Sequence, residues 1–250
     1  MWKFFHKLAS PPHFYSLSAR MIPWFYAAGL VAVLYGTIAG LFYAPVDEEM
    51  NDGFRIIYVH VPAAYISMSA YMVMAIGAGI GLIWRMKLAH AVAAGAAPLG
   101  AWFTFLALLT GSIWGRPMWG TWWEWGDPRL TSELLMLFLY FGYMALRAAI
   151  DDTAKADKAS AVLAMVGAVN IPIIHFSVEW WNSLHQGPTL LKEGGPGIHA
   201  DMLYPLLAMI LGFTLLFGAL LLARVRTEVL HRERRSRWVR NLIMPAGEAA

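Results

Sequence analysis

Long stretches without a charged residue dominate this 250-residue chain. Five of them are twenty residues or longer, at 21–46, 56–84, 88–115, 159–178 and 202–223. Because a helix needs about 20 mostly apolar residues to cross a bilayer, each stretch predicts a membrane-spanning helix. A sixth is predicted at 130–150, provided that Glu133 and Arg147 lie near opposite interfaces, where a long arginine can snorkel to the headgroups.

The charged residues predict the class and its orientation. Only 14% of residues are charged, against about 25% in soluble domains, so we expect an all-α integral membrane protein, a bundle of six transmembrane helices. Fifteen of the nineteen Lys and Arg residues fall on the side that holds both termini. This predicts that both termini are cytoplasmic. Residues 1–226 would form one domain, and 227–250 a basic cytoplasmic tail that can touch membrane lipid; no nucleic acid partner is expected.

Missing residue types and motifs exclude several functions. The chain has no cysteine, which removes disulfides, thiolate metal sites and the Cys-x-x-Cys-His haem attachment motif. It also has no Gly-rich loop ending in Lys-Ser/Thr, so it does not hydrolyse ATP itself. No motif for turnover chemistry is evident, and we do not expect an enzyme.

Two of the eight histidines fall on the predicted outer side at the ends of different helices. His60 lies in YVHVP near the outer end of the second span, and His185 lies in NSLHQG just past the fifth. One imidazole from each side is what haem iron requires of an axial pair. Two interfacial histidines without a metal are the alternative. His175 is expected to be a hydrogen-bonded interior residue, and His199 a solvated one.

The outer loop 114–130 holds five of the twelve tryptophans, which are Trp114, Trp119, Trp122, Trp123 and Trp125. An aromatic belt at the headgroups is one interpretation. A single loop with its own Gly and Pro turns favours another, a shelf for a flat apolar ligand such as a porphyrin. Three arginines, Arg55, Arg116 and Arg129, are then candidates to pair with propionates, or they are ordinary solvated loop residues.

The segments WGTWWEWGD, YVHVP and PIIHFSVEWWNSLHQG together resemble the cytochrome c maturation protein C family, from the N-terminus to at least Gln186. The resemblance implies six spans, a periplasmic Trp-rich loop and non-covalent haem b, with His60 and His185 as axial ligands. It implies transfer of haem to a periplasmic haem chaperone. A small single-span accessory membrane protein and ABC transporter subunits are the other implied partners.

One residue departs from the family pattern. The family places Asp directly after the last Trp of its motif, whereas Gly126 here separates Trp125 from Asp127. We therefore rank Trp119, Trp123 and Trp125 above Asp127 as pocket residues, and the place of Arg129 stays open.

Two other classes fit parts of the sequence. A b-type redox cytochrome subunit would stack histidine pairs across the membrane, but only one pair is well placed here. A permease subunit of a haem ABC exporter suits six helices, but it requires neither the Trp-rich loop nor the histidine pair. A member of the haem ligase group would share the Trp motif in a longer chain.

Overall fold

The computed structural model describes residues 10–185, 187 and 197–243. The fold is all-helical, and within the described residues six helical segments are long and apolar enough to cross a membrane. The predicted class is therefore confirmed. The α-helices are α1 (Pro11–Ile38), α2 (Ile57–Trp84), α3 (Lys87–Trp119), α4 (Pro128–Ala149), α5 (Thr153–Gly167), α6 (Asn170–Trp180), α7 (Ala200–Arg232) and α8 (Arg237–Ile243). A π-helical turn (Ala39–Tyr43) continues α1, and a 3-10 turn (Asp52–Ile56) precedes α2.

Several helices extend beyond the predicted spans. Helix α1 begins ten residues before the predicted start at 21, with proline at its first two positions, where a missing N–H costs nothing. The Asp152 side chain accepts from the Lys155 N–H and starts α5, as an N-cap does. Helix α7 continues to Arg232, so the predicted boundary between residues 226 and 227 falls inside a helix.

The fifth spanning segment, Thr153–Trp180, is two helices rather than one. Between α5 and α6 the backbone tightens, and Val169 and Ile171 donate to carbonyls only three residues earlier. Pro172 follows closely; it has no N–H to give to the carbonyl of Ala168, so a continuous α-helix would lose a bond there. The break divides the span and makes α6, which leads into the loop carrying His185, a separate short helix.

Close approach between helices depends on small residues. A Cβ added at Gly36 of α1 would lie 2.6 Å from Met209 Cγ of α7, and one at Gly212 would lie 2.9 Å from the backbone nitrogen of Val33. With lipid all around there is no hydrophobic drive between helices, and tight packing of this kind holds them together. Helix α1 thus packs along α7, while α2 packs along α3.

A buried ionic cluster joins α4, α5 and α7 at the ends opposite the Trp-rich loop. Asp157 accepts from Arg147 and, at 2.6 and 2.8 Å, from Arg232; both arginines also contact Glu228, at 3.0 and 2.8 Å. These two carboxylates hold the Arg147 guanidinium within the protein. Glu133 is also held by protein groups: it is 7% exposed and accepts a 2.7 Å hydrogen bond from Ser67 Oγ.

We expect Asp157→Asn to lower the thermal stability of the detergent-solubilised protein. Two guanidinium groups would lose their shared carboxylate, and breaking a buried ion pair costs about 3–5 kcal/mol. The measurement is the melting temperature from intrinsic tryptophan fluorescence. Glu233→Gln is the matched control, since Glu233 pairs at 3.7 Å with Lys87, a largely exposed side chain. An equal shift in both variants would contradict a structural role for the cluster.

Candidate functional site

His60 lies in the first turn of α2, with its ring against α3. Its Nδ1 is 3.0 Å from Thr110 Oγ1, and that hydroxyl is 2.7 Å from the Leu106 carbonyl oxygen. Because the hydroxyl has one proton and donates it to the carbonyl, it can only accept from His60. This pattern assigns the ring proton to Nδ1 and leaves the Nε2 lone pair for a ligand.

Two glycines one turn apart on α3 make room for the rings beside them. A Cβ at Gly111 would lie 3.1 Å from His60 Cε1, and one at Gly115 would lie 3.2 Å from Trp119 Cε3. Both distances are tighter than ordinary carbon contacts, so a larger residue at either position would push a ring aside. Helix α3 therefore sets the positions of both His60 and Trp119.

His185 lies in the loop after α6, and Asp127 holds that loop. The Asp127 Oδ2 atom accepts from Ser183 Oγ at 2.7 Å and from the Leu184 N–H at 2.8 Å. The other oxygen, Oδ1, accepts from the Leu130 N–H at 2.9 Å and lies 3.5 Å from His185 Nδ1. One carboxylate thus caps α4 and fixes the loop that carries His185.

The ionised state of Asp127 follows from these contacts. Burial alone would raise the pKa of this carboxyl, but hydrogen bonds from His185, Leu130, Ser183 and Leu184 outweigh burial and hold the pKa below its usual range. The group is therefore a carboxylate at neutral pH. Because its pKa is lowered in the folded protein, it stabilises the fold at pH values above the ordinary pKa of aspartate, and this stabilisation is lost as the pH falls. Since Ser183 Oγ donates to Asp127, it can only accept from His185 Nδ1, 3.4 Å away, which again leaves Nε2 for a ligand.

A continuous chain of aromatic rings joins the two histidines. The ring centroids of His60 and Trp114 are 5.9 Å apart, those of Trp114 and Trp119 are 6.0 Å apart, and those of Trp119 and His185 are 5.1 Å apart. The structure therefore brings His60, His185, Trp114, Trp119 and Asp127 into one cluster.

The other three tryptophans of the loop lie outside this chain of rings. Trp123 packs against the core formed by helices α2 to α6, and its ring meets that of Trp125 edge-on at 5.5 Å. Trp122 and Trp125 are mostly exposed. Two indole nitrogens, those of Trp114 and Trp123, are buried without a hydrogen-bond partner, and a buried N–H donor without an acceptor is costly.

Arg55 and Arg129 bind backbone and side-chain atoms of the protein. Arg55 donates to Asp52 and, at 2.7 and 3.1 Å, to the carbonyls of Gly40 and Ala44 at the end of α1. Arg129 donates to Ser177 Oγ at 3.1 Å and to the His175 carbonyl at 3.2 Å, which joins α4 to α6. Neither guanidinium contacts the two histidine rings.

Some site residues were not found by sequence reasoning. Thr110 and Ser183 set the orientation of the two imidazoles, but the sequence analysis did not single them out. The signal for Thr110 was a polar residue within a charge-free span, and the signal for Ser183 was its place two residues before His185. His175, which was expected to be a hydrogen-bonded interior residue, lies elsewhere. It is exposed on the surface of α6, with its ring edge-on to Phe176 at 4.7 Å.

A groove of about 710 Å³ opens beside the cluster, between α4 and α6. Trp125 and Trp181 border it at one end, and it reaches Asn170, whose Oδ1 is buried without a partner. Neither the two histidine rings nor the two indoles that join them line this groove. The groove and the histidine cluster are therefore separate features of the same end of the bundle.

Fold and site together define a polytopic membrane protein with a histidine pair in a Trp-rich cluster at one membrane face. The family model described as heme exporter protein C matches residues 4–240. The heme exporter protein C of Escherichia coli K12 is 50% identical over 247 residues, covering 99% of both chains. Those of Bradyrhizobium diazoefficiens and Haemophilus influenzae are 49% identical over 229 residues (92% of this chain and 86% of the relative) and 46% identical over 242 (97% and 98%).

The chain therefore belongs to the heme exporter protein C family, and the resemblance seen in its motifs is confirmed. It is a multi-pass bacterial membrane protein.

We expect Asp127→Asn to release the loop that carries His185. An amide can still cap α4 through its oxygen, but its NH₂ group would face the donors of Ser183 and Leu184, at a cost of about 1–3 kcal/mol. Hydrogen exchange measured by mass spectrometry should then show faster exchange in peptides covering Leu184. Glu124→Gln is the control, because Glu124 Oε1 accepts from Gly126 within its own turn. Unchanged protection at Leu184 would contradict this role for Asp127.

Proposed function

We propose that this protein is a carrier that binds haem b non-covalently at the outward membrane face, between His60 and His185. The chain would pass the haem to a periplasmic chaperone during cytochrome c maturation. The observation that carries the proposal is the pair of imidazoles, each with Nδ1 engaged and Nε2 left for iron, joined by Trp114 and Trp119. The name of the relatives, heme exporter protein C, agrees with this ligand.

The residues of the site fit haem in three respects. Two nitrogen ligands on separate elements suit an iron that already has four equatorial nitrogens, and no group of three or more potential metal ligands occurs in the described part of the chain. The indoles supply flat apolar surface. The N–H groups of Trp114 and Trp123 have no partner. They could donate to a carboxylate of a bound ligand or to a water molecule beside it. Without a cysteine in the chain, no thioether to the vinyl groups can form.

Each residue has a distinct part in holding the ligand. His60 and His185 would bind the iron, and Thr110, Ser183 and Asp127 orient the two imidazoles. Trp114 and Trp119 would contact the macrocycle, while the exposed Trp122 and Trp125 extend the apolar surface of the loop. Arg55 and Arg129 fasten the first and fourth spans; binding a propionate would require them to exchange a backbone carbonyl for a carboxylate, a stronger acceptor.

The partners follow from the same proposal. The carrier works with a periplasmic haem chaperone as acceptor, with ABC transporter subunits and with a small single-span membrane protein. The chain has no phosphate-binding loop of its own, so energy from ATP would enter through those subunits. We assign the protein to the inner membrane with both termini in the cytoplasm, which places the Trp-rich loop in the periplasm.

The axial ligands are tested by visible absorption of the purified protein. The parent should show a six-coordinate low-spin spectrum, and His60→Ala and His185→Ala should each shift the remaining haem to a five-coordinate, high-spin form with lower content. His175→Ala is the matched control, since that histidine is exposed on the surface of α6, and should match the parent. A haem-free parent, or a parent spectrum in both ligand variants, would overturn the proposal.

The orientation is tested by single-cysteine labelling, which suits a chain without cysteine. In intact spheroplasts, a membrane-impermeant maleimide should label Glu48→Cys, in the exposed turn between α1 and α2. It should label Arg235→Cys, between α7 and α8, only after the membrane is permeabilised. The reverse pattern would place the Trp-rich loop in the cytoplasm and contradict hand-over to a periplasmic acceptor.

A further inference from the structure

We propose that the two histidines hold iron unequally, with His185 the stronger ligand and His60 the one that releases first at hand-over. The inference rests on the proposed haem site and concerns the residues behind each imidazole. A ligating histidine gains basicity when its second nitrogen donates to a carboxylate, and partners of this kind change metal affinity by 10–100-fold. The strength of each axial bond therefore depends on what accepts from Nδ1.

Behind His60 the acceptor is neutral. Its Nδ1 lies 3.0 Å from the hydroxyl of Thr110, and the proton of that hydroxyl is given to the Leu106 carbonyl at 2.7 Å. Thr110 is thus a positioning residue. It fixes the tautomer and the ring plane of His60, but it adds no negative charge.

Behind His185 the acceptor is a charged group. Asp127 Oδ1 lies 3.5 Å from Nδ1, and Ser183 Oγ, itself bonded to the other oxygen of Asp127, lies 3.4 Å from the same nitrogen. The Asp127 side chain is 1% exposed, so water screens its charge little.

The neighbouring cation, Arg129, makes its hydrogen bonds elsewhere. It donates to Ser177 and to the His175 carbonyl, and no ion pair joins Arg129 to Asp127 in the described part of the chain, although the two opposite charges attract each other. Asp127 keeps its own contacts with His185 and with the Ser183 and Leu184 donors, which makes the environments of the two imidazoles electrostatically different.

The asymmetry gives hand-over an order. At release the bond from His60 Nε2 would break first, with the electron pair left on nitrogen and the Nδ1 proton kept on its bond to Thr110. No oxidation state would change, and no oxidant or reductant would be needed. His185 would keep hold of the haem while a neutral or anionic donor of the acceptor protein takes the place of His60.

The test compares the single-ligand variants, each of which keeps one axial histidine. Excess apomyoglobin is added as a haem scavenger, and the loss of haem is followed by absorption. His60→Ala, which keeps His185, should lose haem about tenfold more slowly than His185→Ala, which keeps His60. In the ferrous five-coordinate proteins, resonance Raman should show a higher iron–imidazole stretching frequency for His60→Ala.

A second pair of variants isolates Thr110. In the His185→Ala background, Thr110→Val should lower the stretching frequency and speed haem loss, while Thr110→Ser, which keeps the hydroxyl, should restore both. Equal loss rates and equal frequencies in the two single-ligand variants, or the reverse order, would overturn the inference and leave the axial pair intact. A haem-free parent, or ligand variants with the parent spectrum, would instead overturn the proposed function itself.

Discussion

The carboxylate of Asp127 is the interaction on which the outer site depends. It starts α4 by accepting from the Leu130 N–H and fixes the far loop by accepting from Ser183 and Leu184. Each of these bonds is charge-assisted and shielded from water, where such bonds are strongest. A single buried group thus ties the Trp-rich loop to the loop carrying His185, two segments more than fifty residues apart in the chain.

Helix α3 provides the other half of the site. Thr110, Gly111, Trp114 and Gly115 fall at i, i+1, i+4 and i+5, so they share one face of the helix. On that face the Thr110 hydroxyl orients His60, and Gly111 leaves room for its ring. Trp119, the last residue of the helix, contacts His185. The histidine pair is therefore held between a rigid helix and a loop that Asp127 pins.

The sequence predicted the spans well because hydropathy acts locally, and it predicted the side-chain partners poorly because these depend on which helices become neighbours. Charge-free length was enough to find five of the six spans, and the sixth was found as an apolar run that contains Glu133 and Arg147. It did not show that Arg147 would meet Asp157 and Glu228, 81 residues later in the chain. Nor did it show that Thr110 would stand behind His60, or that α5 and α6 would separate close to Pro172.

Gly126 lies in a turn between the last tryptophan of the loop and Asp127. The Asp127 N–H donates to the Glu124 carbonyl at 3.1 Å and closes a turn over Trp125 and Gly126, with the Glu124 side chain bonded to the Gly126 N–H. Both residues lie inside the turn, and Trp125 sits at its exposed corner. The register of Asp127 is set by its role as the cap before Pro128, since a capping side chain must precede the first helical turn. Asp127 therefore contacts His185, whereas Trp125 lies at the exposed corner of the turn.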